Sequence, residues 1–440
     1  MARETGPRQA GCGCPTDGHV VLPSAGASEE AGVSAWQDRQ DPTAGRVRRR
    51  HVLYVPGFDP VPPRRYRELY RAEAAAQAAV SGHEATVRSA ARTDRFGWGV
   101  TARIEGAAVE AEVTVLTWSD IVRDSMDRGI LATYAQLLRT VAVYVGTGAL
   151  FRLMRLRKGP VIAAFYPVGV LLAQLALALV AARGLGHALG MLHPLAAWGG
   201  LVAVPVMLAW FRRLDGHLYA YYLMHDYAFA ARWLGANPPQ LEARLAEFGE
   251  AIAAALGEPC DEVLVVGHSS GAHLAVSVLA DLIRAGRVPE GGPALAFLSL
   301  GQVVPMMSFL PRADRLRGDL AYLSTRDELF WLDVSAPGDG CSFALCDPVS
   351  VSGVAPAAKR GPLVLSAAFT RTLSPERRRA LRWRFFRLHF QYLCAFDRPG
   401  AYDYFAITAG PRRLADRFAG RAPSPARIER AVSGYRSVAR

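Results

Sequence analysis

Residues 262 to 274, Glu262-Val-Leu-Val-Val-Gly-His-Ser-Ser-Gly-Ala-His-Leu274, run from four apolar residues into Gly267-His268-Ser269-Ser270-Gly271 and on into a helix-forming stretch. A β-branched run, a polar turn flanked by glycines and then Ala and Leu read as strand, sharp turn and helix. Ser269 holds the centre of a Gly-x-Ser-x-Gly pattern. In such an elbow a strained turn lifts the hydroxyl clear of a sheet edge, and the glycines leave room for the backbone. Five residues of this kind carry little weight alone, so their context decides.

Upstream, Leu241, Leu245, Phe248, Ile252 and Leu256 form one stripe of an amphipathic helix that starts after Asn237-Pro238 and ends at Gly257. Downstream, the pattern predicts a helix to about residue 285, a strand over 294–300, a helix around 311–325 and a strand over 329–334. Nearer the N-terminus, a strand over 51–55 ends in Pro56-Gly57-Phe58-Asp59-Pro60. A helix entered through Pro62 and Pro63 follows, then a strand over 113–117. Alternating strands and helices imply an α/β fold with a mostly parallel sheet covered on both faces.

Two stretches without acidic or basic side chains apart from histidine, residues 160–182 and 184–211, interrupt this pattern. Each is long enough to cross a hydrocarbon core of ~30 Å. Buried helices of soluble proteins rarely run past about 20 residues without a charge, so a two-helix membrane hairpin is expected, with spans near 160–182 and 190–211. Arg152, Arg155, Arg157 and Lys158 precede it, Arg212 and Arg213 follow it, and only Arg183 lies between. That asymmetry puts both flanks, and the domain they belong to, on the cytoplasmic side of an expected multi-pass membrane protein. Residues 130–151 suit the interface, yet Gln136 and Arg139 argue against a third span. The expected organisation is a disordered leader (1–45), a first part of the domain (46–128), a membrane-associated insertion (129–213), a second part with the elbow (214–410) and a basic tail (411–440).

The 440 residues are 51% apolar and 20% charged, enough to bury a sizeable core. A net charge of +12 comes in arginine bursts, such as residues 46–50 and 377–387, without any nucleic-acid module. The expected partner is an anionic lipid bilayer and not nucleic acid. Six irregularly spaced cysteines suggest neither a disulfide scaffold nor a zinc site, and neither metal nor cofactor is expected.

A serine hydroxyl becomes nucleophilic when an imidazole takes its proton and a carboxylate orients that imidazole. Only His273 and His389 follow Ser269. His273 lies on the elbow helix and would have to bend back, so His389 is the expected base. Asp339, between Gly338 and Gly340 just past a strand, is the expected acid, with Asp347 as the alternative. Two amides must hold the substrate oxyanion, and these are expected from the backbones of Phe58 and Ser270. His268 is read as a packing residue.

Taken together, residues 52–59, 267–271, Asp339 and His389 resemble the α/β-hydrolase superfamily. The resemblance implies a central, mainly parallel sheet, a Ser/acid/His triad and catalysis without a cofactor. Two departures stand out: the hairpin ahead of the elbow strand, and a Pro-Gly-Phe loop in place of a His-Gly-Gly-Gly type. The expected activity is a membrane-anchored serine hydrolase that cleaves carboxylic esters of lipid or other hydrophobic acyl compounds. Its rivals are an inactive hydrolase-fold scaffold or binding protein, and an acyltransferase or thioesterase with the same triad. Oligomeric state is not legible.

Overall fold

In a computed structural model of the protein, residues 46–89, 95–126 and 129–438 are described; the expected leader lies outside them. Eight strands build one sheet: β1 (Arg49–Val55), β2 (Glu84–Ser89), β3 (Gly97–Ile104), β4 (Ala107–Val115), β5 (Glu262–His268), β6 (Ala294–Leu300), β7 (Leu329–Ser335) and β8 (Leu363–Ser366). Their order is β2-β3-β4-β1-β5-β6-β7-β8. From β4 to β8 every pairing is parallel, whereas β2, β3 and β4 form an antiparallel meander. The protein has an α/β fold.

Parallel strands buried on both faces need continuous apolar runs. In β1, Val52 and Tyr54 face the helix Arg64–Ser81 with Tyr66 and Tyr70, while Leu53 and Val55 face Phe248 and Ile252 on the opposite layer. All five residues of the stripe Leu241, Leu245, Phe248, Ile252 and Leu256 are buried. Between β3 and β4 the two central residues of the turn, Glu105 and Gly106, both take positive φ, 54° and 76°, as a type I′ hairpin requires.

A buried ion pair locks β1 to β5. Arg50 Nε donates to Glu262 Oε2 at 2.6 Å, and its two Nη atoms donate to the carbonyls of Gly410 (2.7 Å) and Arg412 (2.6 Å). Glu262 Oε1 in turn accepts from Leu414 N at 2.7 Å. The segment set apart as a basic tail is thereby part of the fold: Leu414 and Phe418 are buried, and Ile428 exchanges backbone hydrogen bonds with Leu345 and Asp347. Its apolar residues, sparse among arginines, supply the packing. Glu262→Ala leaves a guanidinium buried without its counter-charge, so a loss of about 3–5 kcal/mol in unfolding free energy is expected. Denaturant titration measures it, and a loss below about 1 kcal/mol would contradict the role assigned to the pair.

The hairpin differs in its boundaries from the expected spans. Lys158–Gly190 is one continuous helix that passes through Arg183 unbroken. The chain reverses at His193-Pro194, where His193 Nδ1 caps Leu195 N and the proline opens a 3₁₀ helix, Pro194–Val202, leading into the helix Ala203–Arg213. The arms touch through glycine: a Cβ on Gly200 would sit 2.3 Å from Ala182 O and 2.7 Å from Gly186 Cα. Both arms are long and apolar enough to cross a bilayer. Only 28% of the first arm's most apolar stretch and 11% of the second's is buried within the protein. Val180, Leu192, Trp198 and Val206 are among the exposed side chains, an apolar surface far larger than water-facing helices carry.

Residues 130–151 form a helix, Ile130–Gly146, and the start of a short second one. The first packs Thr133, Leu137, Thr140 and Tyr144 inward, and Tyr144 hydroxyl donates to Met306 O at 3.2 Å. With the helix Ala220–Arg232 and the N-terminal turns of the long arm, it roofs the carboxyl edge of the sheet.

Candidate active site

β5 delivers Ser269 into the left-handed region at φ 56°, a strained position for a residue with a side chain. The helix Gly271–Arg284 starts two residues later. The glycines of the pattern are demanded by contact. A Cβ on Gly271 would lie 2.1 Å from Val55 O, and one on Gly267 would lie 2.7 Å from Ala272 Cα. Gly57, in the turn after β1, lies directly over the nucleophile position: its Cβ would meet Ser269 Cβ at 3.0 Å and Ser269 Oγ at 3.4 Å.

Asp339 follows β7 in a turn closed by its own N–H to Ala336 O at 2.9 Å. His389 Nδ1 meets Asp339 Oδ2 at 2.8 Å, Tyr392 hydroxyl donates to the same oxygen at 3.0 Å, and Cys341 N–H donates to Oδ1 at 2.9 Å. Burial pushes this carboxyl up, but His389 and these hydrogen bonds outweigh it and hold it below the usual carboxylate range. A carboxylate facing Nδ1 fixes the proton there and leaves the Nε2 lone pair as an acceptor. His389 arrives at the end of a short helix, Phe385–His389, with its ring 4.8 Å from that of His268. His268 Nε2–H donates to His389 O at 3.0 Å, and burial with neighbouring His389 lowers His268 to about 3, so it stays neutral and ties down the backbone of His389.

Asp347, the alternative acid, is occupied elsewhere. It caps the short helix Pro348–Val351 through Val349 N and Ser350 N, both at 3.0 Å, and pairs with Lys359. Its carboxylate therefore does not serve His389; the proline after it marks a helix start. His273 is buried on the elbow helix, lowered to about 4 by burial, and is not part of the cavity wall. Neither Phe58 N–H nor Ser270 N–H donates to another described residue, which leaves both free for a ligand. Phe58 O accepts from Tyr222 hydroxyl, and its ring packs against Trp118 and Phe229, each at 5.8 Å between centroids.

Ser269, His389, Gly57 and Phe58 line one cavity of about 830 Å³. Its walls are largely apolar: Tyr144, Val161, Val168, Tyr222, Met306 and Phe343 come from the roof and the sheet edge alike. Residues 159–166 and Val168 of the long arm form part of the wall, and Gly159 rests on the loop of Asp339, where its Cβ would be 3.3 Å from Gly340 Cα. Exposed Trp383 and Phe385 flank Arg384 at the rim. Asp339, Cys341 and His389 bring ligand atoms within 4.8 Å of one another, the one group among the described residues that could hold a metal ion. Burial keeps the Cys341 thiol protonated, and the Asp339 to His389 hydrogen bond already uses the other two.

One wall residue has no counterpart in the sequence reading. Asp226, on the helix Ala220–Arg232, opens into the cavity and is pushed up to about 7 by burial, with His389 opposing. No motif spacing marks it. No family model, curated protein or solved structure matches the chain, so the site is read from its own geometry.

Proposed function

We propose that the protein is a membrane-anchored serine hydrolase of α/β-hydrolase type that cleaves carboxylic esters of lipid-like acyl compounds. The observation that carries this reading is the strained Ser269 beside Gly57, sharing a cavity with a His389 whose Nδ1 is held by buried Asp339. Ser269 Oγ adds to the ester carbonyl while His389 Nε2 takes its proton, and the amides of Phe58 and Ser270 bear the oxyanion. His389 returns the proton to the departing alcohol as the acyl-enzyme forms. A water then adds by the same route, its proton passing through His389 back to Ser269, and the acid is released.

The apolar walls and the membrane-length arm within them support a hydrophobic acyl chain, and the arginine and aromatic rim supports an anionic bilayer surface as the setting. On this reading both soluble segments face the cytoplasm. A fluorophosphonate probe is expected to label the wild type in membranes and to leave Ser269→Ala unlabelled. Equal labelling of the two would overturn the nucleophile, and labelling of neither would favour an inactive scaffold.

A further inference from the structure

Asp226 is the one acidic wall residue of the cavity besides Asp59, which is already held by Tyr66 hydroxyl at 2.7 Å and by Val61 N at 2.9 Å. The Asp226 carboxylate makes no hydrogen bond or ion pair with another described residue. Its charge is felt at Tyr144, Tyr222, Tyr227, Cys341 and His389, so it stands in the same chamber as the base. Asp226 is half-buried and opens into a largely apolar chamber, and a carboxylate placed there without a protein partner is costly unless a donor or a cation meets it. The rest of the wall offers an acyl chain little but apolar and aromatic surface.

We propose that Asp226 binds the polar end of the substrate, a hydroxyl or a cationic ammonium group carried on the alcohol side of the scissile ester. The inference rests on the hydrolase reading and names its substrate class: an amphiphile whose chain fills the apolar walls and whose hydrogen-bond donor or cation meets Asp226. A carboxylate among tyrosine rings suits either head group, by charge-assisted hydrogen bonding or by cation–π contact with ion pairing. The burial that raises Asp226 towards 7 is the penalty such a partner relieves.

The test uses the full-length protein in lipid nanodiscs and three esters of one fatty acid: ethyl, 2-hydroxyethyl and choline. The wild type is expected to favour the hydroxyethyl or choline ester over the ethyl ester by about tenfold in kcat/KM, mostly through KM. Asp226→Leu should erase every preference, while Asp226→Asn, the variant least disturbing to the fold, should erase the preference for choline and keep part of that for hydroxyethyl. The same preferences in wild type and Asp226→Leu, with fluorophosphonate labelling of Ser269 intact, would overturn the inference and leave the hydrolase reading standing. Should no ester turn over, binding of dodecyl ethyl ether, dodecyl 2-hydroxyethyl ether and dodecyltrimethylammonium decides it: loss of discrimination in Asp226→Leu supports the binding role, and unchanged discrimination overturns it.

Discussion

His389→Ala and Ser269→Ala are each expected to lower kcat by about 10⁴–10⁶-fold on a short-chain aryl ester, and the double variant to be no worse than either alone. The reason is geometric. Nδ1 of His389 is committed to Asp339 at 2.8 Å, so the ring can exchange protons only through Nε2, and no second imidazole of the cavity can substitute. His268, the other histidine in the wall, holds neutral against His389 O and is unsuited to the task. Asp339→Asn is expected to lose nearly as much, because an amide facing Nδ1 favours the wrong tautomer. Steady-state turnover with active-site titration checks all four variants, and a loss under tenfold for His389→Ala would remove it from the mechanism.

A second large effect is expected from a single methyl group. Gly271→Ala puts a Cβ within 2.1 Å of Val55 O and 2.6 Å of Pro56 O, both backbone atoms that cannot turn aside. The elbow helix must retreat from the end of β1, at a cost of about 3 kcal/mol, and the turn carrying Gly57 and Phe58 moves with it. Stability and turnover should therefore fall together. Gly146→Ala is the control: it meets nothing within 4 Å on the helix Ile130–Gly146 and should be neutral or slightly stabilising. Thermal unfolding of the two variants side by side distinguishes a packing effect from a general intolerance of substitution.

The strands that proved legible were the buried parallel ones. β1, β5, β6 and β7 each carry a run of four apolar residues, at 52–55, 263–266, 295–298 and 329–332, because both faces are covered, and such runs are hard to misread. β2 and β3 leave no such run: β2 exposes most of its residues at the sheet edge, and β3 carries Gly97 and Gly99 and is joined to β4 by a turn at Glu105-Gly106. β8 has only four residues and no pattern to detect. A charge at Arg183 reads as a terminus and sets the first span's end at 182, whereas the chain turns only at His193-Pro194. Within the site, the glycines and the preceding strand favour Asp339 over Asp347, but both lie beside turn-forming residues and the sequence leaves the second open. Only the fold reveals that one faces an imidazole and the other a helix N-terminus. Asp226 was invisible for a different reason: a lone carboxylate in a tyrosine-rich helix has no spacing to announce it.

The helix Lys158–Gly190 spends its first turns as cavity wall and the remainder as exposed apolar arm, with Gly159 resting against Gly340 beside the acid. It is mechanically a lever with a long end and a short end. On the proposed reading the long end lies in lipid, whose thickness sets its tilt, and the fulcrum is one residue from the carboxylate that steadies the base. The bilayer then acts as more than an anchor or a reservoir of substrate. It becomes an adjustable part of the enzyme, and the composition of the surrounding lipid joins the list of things that tune the reaction at Ser269.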